Sequence, residues 1–308
     1  MRVRGRPFVL SHGINARCNL SCRFCEYWCQ PNQEMRTSHI LEMLNEAKDF
    51  GIGIYNAWTV EPLLRPDLPK ILGHAKKLGL ITSLVTNGQL LGLRAHELSD
   101  LDYLSVSIDG IKSYRDIRGA DLEIVLEGIK AAQGMGHRIL INCVICRKNL
   151  HELEDLVEMA ESFGVSISFE PIHEMESVDK KVWQEIGLIS SHDLHCAIKR
   201  LIKLKKNGAP IINSLTYLNM LKELQPRFRC HASSIILHVA PDGSVQNCRL
   251  CKESLGNVSS GILNVWKGSG ERRRKIVYEC KGCLFFGYVE NSLLFEFRPE
   301  VLAHYEWM

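Results

Sequence analysis

Six short apolar runs alternate with amphipathic stretches of helical period, and this alternation limits the fold more than any single motif. The runs cover residues 8–14, 53–58, 81–85, 103–108, 138–145 and 165–169. Between and after them the pattern predicts helices at 38–50, from Asp67 to Leu78, at 121–134, from Asn149 to Gly164, and at 194–206. Helix signals support these bounds: Thr37 is the expected N-cap of the first helix and Gly51 its stop. Asp67 with Pro69 opens the second and Gly79 closes it, and Asn149 followed by Glu152 has the form of a capping box. Such alternation requires a parallel sheet with right-handed crossovers. Six units are too few for a closed eight-stranded barrel, so the expectation is an open, partial α/β barrel over residues 1–208. From residue 209 to 308 the alternation stops and cysteines return, which marks a second expected domain.

The first apolar run leads into Cys18-Asn-Leu-Ser-Cys22-Arg-Phe-Cys25. Three thiolates this close can converge on one inorganic group, and soft sulfur suits iron–sulfur clusters or zinc. A structural zinc ion wants a fourth ligand, which Cys29 would supply, whereas three ligands leave one iron of a cubane open. No apolar run reaches the length of a membrane span, and the basic start, Met1-Arg-Val-Arg-Gly-Arg6, precedes too short an apolar stretch for a signal peptide. Twelve cysteines therefore point to metal sites in a cytoplasmic protein rather than to disulfides. A net charge of +3 argues against nucleic acid or an anionic membrane as partner, and the basic runs at 199–206 and 272–275 read as solvated helix faces.

The Cys-x3-Cys-x2-Cys loop, with Phe24 before the third cysteine, resembles the signature of the radical S-adenosylmethionine (SAM) superfamily. Further motifs follow in order at the ends of the expected strands. Thr59-Val60-Glu61-Pro62 stands where the family has Gly-Gly-Glu-Pro, with both glycines replaced. Thr86-Asn87-Gly88 follows the third strand, and Ser107-Ile108-Asp109-Gly110 after the fourth matches Ser-x-Asp-Gly, with Arg118-Gly119 further on. Each of these is ordinary turn chemistry on its own. Together the resemblance implies a partial (β/α)6 radical SAM barrel with a [4Fe–4S] cluster on Cys18, Cys22 and Cys25. It also implies SAM held near Phe24, Glu61, Asn87, Ser107, Asp109 and Arg118, with Asn142 and Arg147 as weaker candidates. His12, Tyr27 and Trp28 either line the site or pack.

In the second region Cys230 is followed after twelve residues by Gly243, after four more by Cys248, and later by Cys280-Lys-Gly-Cys283. Ile235–Val239 and Ser244–Gln246, joined by Pro241-Asp242-Gly243, read as a β-hairpin. The pattern resembles the auxiliary-cluster extensions of the superfamily, the SPASM domain and its shorter twitch version. None of the 25 residues after Cys283 is cysteine, which favours the shorter form. That resemblance implies one auxiliary [4Fe–4S] cluster on Cys230, Cys248, Cys280 and Cys283, with Cys251 as an alternative ligand. A zinc ribbon built from the same four residues stays open. Cys143, Cys146 and Cys196 are expected to be small buried hydrophobes.

The expected activity is reductive cleavage of SAM to a 5′-deoxyadenosyl radical that abstracts a substrate hydrogen atom. With an auxiliary cluster the natural outcome is a two-electron oxidation of a small molecule, such as dehydrogenation of an alcohol on a sugar or cyclitol. The expected partners are a small-molecule or peptide substrate and a one-electron donor such as flavodoxin or ferredoxin, with no nucleic acid and no membrane. One alternative is a peptide maturase, although the 17 residues before Cys18 do not amount to a peptide-recognition domain. Another is an electron-transfer or zinc-scaffold protein, which would have no use for Glu61, Ser107 and Asp109.

Overall fold

Nine strands form one sheet in the order β6-β5-β4-β3-β2-β1-β7-β8-β9 in the computed structural model, which describes residues 5–29 and 33–307. Residues 1–4, at the start of the basic N-terminal run, lie outside the described residues. The six expected strands are β1 (Val9–Gly13), β2 (Ile54–Trp58), β3 (Ile81–Thr86), β4 (Tyr103–Ser107), β5 (Ile139–Ile145) and β6 (Ser166–Pro171). Neighbours among them pair in parallel throughout. Helices Thr37–Phe50, Leu68–Lys77, Leu122–Gly134 and Leu153–Ser162 return the chain between strands.

Side chains alternate between the two faces of each strand, and the two faces differ sharply. Leu10, Tyr55, Leu104, Ile141 and Ile167 are fully buried, in one core with Ile40, Leu44, Ile71, Ile129 and Leu156 of the helices. The opposite face carries small polar residues into the lumen, as the cavities below show. Among the described residues no helix is long and apolar enough to cross a membrane.

The expected helix caps differ from those observed. Thr37 is already helical, and its hydroxyl donates to Asp67 Oδ2 at 2.5 Å. Asp67 precedes its helix but makes no side-chain cap; its carboxylate pairs with Arg65 Nε at 2.8 Å. A buried guanidinium is a stronger partner than a helix N–H, so the charge wins. The capping box expected of Asn149 and Glu152 does not form either. Asn149 Nδ2 donates to the carbonyls of Asp109 (2.5 Å) and Val144 (2.8 Å), and Glu152 accepts from the backbone N–H groups of Ile111, Lys112 and Ser113. Both residues fasten the loop after β4, and Asn149 Oδ1 also accepts from Cys146 N at 2.8 Å to cap the short 3-10 turn Arg147–Asn149.

The expected hairpin is present as β7 (Ile236–Val239) and β8 (Ser244–Gln246), with Gly243 in the left-handed region at φ 84° in its turn. A short β9 (Ser254–Asn257) extends it. β7 also pairs in parallel with β1, Val9 opposite Ile236 and Ser11 opposite His238. On the other edge Ile211 bridges to Ile167 of β6. The division expected at residue 208 therefore does not separate two sheets: the C-terminal segment continues the barrel's own sheet. Of the basic run at 272–275, Arg273 departs from a solvated face. Its guanidinium lies 3.5 Å over Trp266 and donates to Ser233 O at 2.8 Å.

Candidate functional site

The three-thiol loop leaves the carboxyl end of β1. Cys22 is buried, Cys18 and Cys25 are half-buried, and Cys25 N–H donates to Cys22 O at 3.1 Å. Burial pushes the Cys25 thiol up to about 11, and the nearby thiols of Cys22 and Cys18 add to the shift. Cys18 Sγ accepts from Leu20 N at 3.4 Å and from Asn87 Nδ2 at 3.7 Å. N–H groups aimed at sulfur suit thiolates that ligate a cluster. Cys29 instead is exposed and its thiol donates to Glu26 O at 3.0 Å.

The other expected cofactor residues sit around this loop, mostly as its supports. Glu61 is fully buried, and its carboxylate accepts from Thr86 Oγ1 (2.7 Å), Asn87 N (2.7 Å) and Leu63 N (3.0 Å). Burial pushes it up to about 7 against those three donors. Asn87 also donates to Asn19 Oδ1 at 2.8 Å, which ties the β3 end to the cysteine loop. Asp109 is fully buried: Oδ2 takes Arg118 Nε at 2.6 Å and Oδ1 takes Val144 N at 2.8 Å. Burial works most strongly against the Arg118 charge, but Asp109, Cys22 and Tyr114 together hold the guanidinium above its ordinary value. Arg118 lies 5.8 Å over the Phe24 ring. Ser107 is buried at the end of β4. Thr59 and Val60 have φ of 81° and 52°, so the backbone keeps a glycine-type geometry where the family has glycines.

Two cavities lie in the barrel and at its edge by the hairpin. The first, about 210 Å³, is the barrel lumen, lined by Ser11, Asn56, Ser83, Ser105, Asn142 and Ser168 among others. Asn56 Nδ2 donates to Ser83 Oγ at 2.7 Å, and Ser168 Oγ to Asn142 Oδ1 at 2.8 Å. The second, about 230 Å³, lies between Tyr27, Trp58, Thr59 and the β7–β8 hairpin. Arg249 and His238, which the sequence reading did not single out, line both. Their only local signals are the position of Arg249 beside Cys248 and that of His238 in an alternating strand. Of the other lining candidates, Tyr27 faces the second cavity, Trp28 is 45% exposed, and His12 is core, with Nδ1 3.0 Å from Tyr55 Oη. Arg147 donates to Gln184 O at 2.9 Å on the surface.

In the C-terminal segment, Cys230, Cys248 and Cys283 pack against the small core of Ile235, Ile236, Phe285 and Tyr288. Burial pushes Cys283 up to about 12, with the thiols of Cys230, Cys248 and Cys280 adding to it. Cys248 Sγ accepts from Cys251 N, and Cys280 Sγ from Gly282 N, both at 3.3 Å. Cys251 is half-buried, and its backbone N–H meets the Cys248 sulfur. Among the described residues no three His, Cys, Asp or Glu side chains close on a site for a single metal ion. Cys143 and Cys146 are buried as expected; Cys196 is not, and its sulfur lies 3.3 Å from His192 Nε2.

The fold is a parallel partial barrel whose first strand leads into a loop carrying Cys18, Cys22 and Cys25, a donor set that suits a soft-metal cofactor. Residues 14–160 match the family model of the radical SAM superfamily. That family implies SAM and one [4Fe–4S] cluster, for which the Cys18, Cys22 and Cys25 sulfurs would be the fitting donors. The chain is 28% identical over 281 residues to a probable GTP 3′,8-cyclase of Methanococcus aeolicus, covering 87% of this chain and 92% of that one. A probable GTP 3′,8-cyclase of Saccharolobus solfataricus is 29% identical, with 86% and 89% covered. These relatives are named neither as dehydrogenases nor as peptide maturases. Among solved structures, SuiB of Streptococcus suis bound to SAM is similar at a TM-score of 0.69 and 17% identity, covering 87% of this chain and 68% of that one. The anSMEcpe structure with AdoMet and a peptide gives 0.68 and 18%, covering 89% and 84%. At these identities the likeness concerns the fold.

Proposed function

We propose that the chain is a radical SAM enzyme that oxidises a small molecule by two electrons, with an auxiliary [4Fe–4S] cluster on Cys230, Cys248, Cys280 and Cys283. The observation that carries this reading is shared walls. Arg249, beside Cys248, and Phe285 and Phe286, after Cys283, line the barrel lumen, and Arg249 also lines the second cavity, whose wall includes Ala16 and Tyr27 on either side of the three-thiol loop. A site with four thiolates leaves no iron free for substrate, which suits electron transfer rather than ligand binding. When bound, the two clusters and SAM would supply a 5′-deoxyadenosyl radical that takes a hydrogen atom and an acceptor for the electron left behind. The chain's own part is to enclose the substrate among the lumen's hydroxyl and amide groups and keep bulk water from it.

A second reading, GTP 3′,8-cyclisation, is favoured by the end-to-end similarity to the probable cyclases. Against it stands the charge of the second cavity: Lys252 there is paired with Glu26, which leaves Arg249 as the basic group facing a polyanionic triphosphate. A peptide substrate draws on fold likeness alone.

Anaerobic reconstitution with an iron count and a 5′-deoxyadenosine assay separates these readings. About eight irons per chain, nucleoside formation, and deuterium transfer into it from a labelled alcohol support the oxidation. Turnover of GTP to a cyclised product replaces it with the second reading. About four irons with bound zinc removes the auxiliary cluster, and eight irons without SAM cleavage under any reductant leave an electron carrier.

A further inference from the structure

His238 and Arg249 border both cavities, and the hydrogen bonds around them fix what they offer. His238 is buried on β7 opposite Ser11, which turns it toward the lumen. Its Nε2 lies 3.2 Å from the Tyr288 hydroxyl, itself buried, and that oxygen also accepts from Arg249 N at 2.9 Å. A phenol has one proton to donate, and His238 Nε2 is the acceptor it meets among the described residues. Nε2 is then unprotonated. Burial, with the nearby Arg249 charge, lowers the imidazole to about 3, so it is neutral and its hydrogen resides on Nδ1. That nitrogen is buried and has no hydrogen-bond partner among the described residues.

The Arg249 guanidinium is held by stacking rather than by an ion pair. It lies 3.9 Å over the Trp58 ring and 5.5 Å from that of Phe285, and no carboxylate pairs with it among the described residues. Stacking fixes the plane and leaves the edge N–H groups free, so little entropy is lost when an anion docks. The acids nearby are engaged: Glu170 accepts from Phe286 N at 3.2 Å and Asn142 Nδ2 at 3.4 Å, and Asp242 accepts from Ser244 N at 2.9 Å. Two donors with no acceptor between them, one of them buried and unpartnered, are the signature of a site awaiting oxygen atoms.

We propose that Arg249 and the Nδ1–H of His238 form an anion subsite where the lumen meets the second cavity, which holds a carboxylate or phosphate group of the substrate. The subsite rests on the reading of the lumen as the substrate chamber and narrows that reading to an acidic substrate. Tyr288 is the positioning residue that sets the tautomer. A group bound there would be oriented by a bidentate guanidinium on one side and a single N–H on the other.

The test uses the full-length, anaerobically reconstituted protein, with inorganic phosphate and acetate as probes in thermal-shift titrations at constant ionic strength against chloride. The wild type is expected to be stabilised by one or both probes over chloride, the responding probe naming phosphate or carboxylate as the substrate's group. R249Q should weaken the apparent affinity about tenfold or more, R249K less, and H238F by a smaller factor. Circular dichroism and iron content of R249K check that the loss is not one of folding. Equal affinity in wild type and R249Q, or no response of the wild type to either anion, overturns the subsite. 5′-Deoxyadenosine formation by the wild type is followed in the same preparations. Arg249-dependent anion binding without SAM cleavage keeps the subsite and removes the catalytic reading; cleavage without Arg249-dependent binding does the reverse.

Discussion

Replacing Asp109 by Asn tests whether the loop after β4 is held by a buried charge pair. Asp109 is fully buried and the Arg118 side chain is 8% exposed, so neither charge has water to fall back on. The carboxylate accepts from Arg118 Nε at 2.6 Å and from Val144 N at 2.8 Å. Asparagine keeps one acceptor oxygen for these two donors, and its NH2 turns a donor toward a donor. The guanidinium also loses its counter-charge. Removing one partner of a buried pair costs about 3–5 kcal/mol, well above the 1 kcal/mol of an ordinary hydrogen bond. The Phe24 ring 5.8 Å from Arg118 offsets little, because that contact already exists in the wild type. Anaerobic urea unfolding followed by far-ultraviolet circular dichroism should therefore show D109N destabilised by about 3–5 kcal/mol. The double variant D109L/R118M, which removes both charges, should return most of that loss. A D109N cost below about 1 kcal/mol, or a double variant worse than the sum of the singles, would refute the argument.

Glu61 gives a pH prediction. Its folded value of about 7 exceeds the unfolded one, so the folded chain binds the extra proton and its stability falls as pH rises from about 4.5 to 7. Relative to E61Q, the wild type should lose roughly 3 kcal/mol across that window in urea unfolding, and a difference that stays flat with pH contradicts it. Val60→Gly should be neutral to stabilising by about 1 kcal/mol, since relief of a β-branched residue at φ 52° exceeds the entropy glycine adds; a clear loss of melting temperature would sink this. Glu152→Ala orphans the N–H groups of Ile111, Lys112 and Ser113 and should cost about 2–4 kcal/mol, with faster amide exchange at those positions as the direct readout.

How much was legible in the sequence depended on the range of the interaction. The six strands, the hairpin around Gly243 and the cysteine spacings are local patterns, and the observed elements follow them to within one or two residues. The caps failed for a local reason with a distant cause. Thr37, Asn149 and Glu152 have capping chemistry but found partners in other segments, and Asp67 was taken by Arg65 two residues before it. Glu61 and Asp109 were found by motif, yet their carboxylates turned out to be enclosed and committed to internal donors.

The sequence by itself determined the alternation that makes a parallel sheet and the thiol spacing that makes a cluster loop, because period and spacing are properties of neighbouring residues. Only the tertiary structure decided that β7 lies beside β1, so that the C-terminal segment continues the barrel's sheet. That pairing brings His238 opposite Ser11 and places Arg249 over Trp58, from opposite ends of the chain. Backbone pairing between distant strands depends on which edge is left open once the other strands have joined, and no local period records that choice.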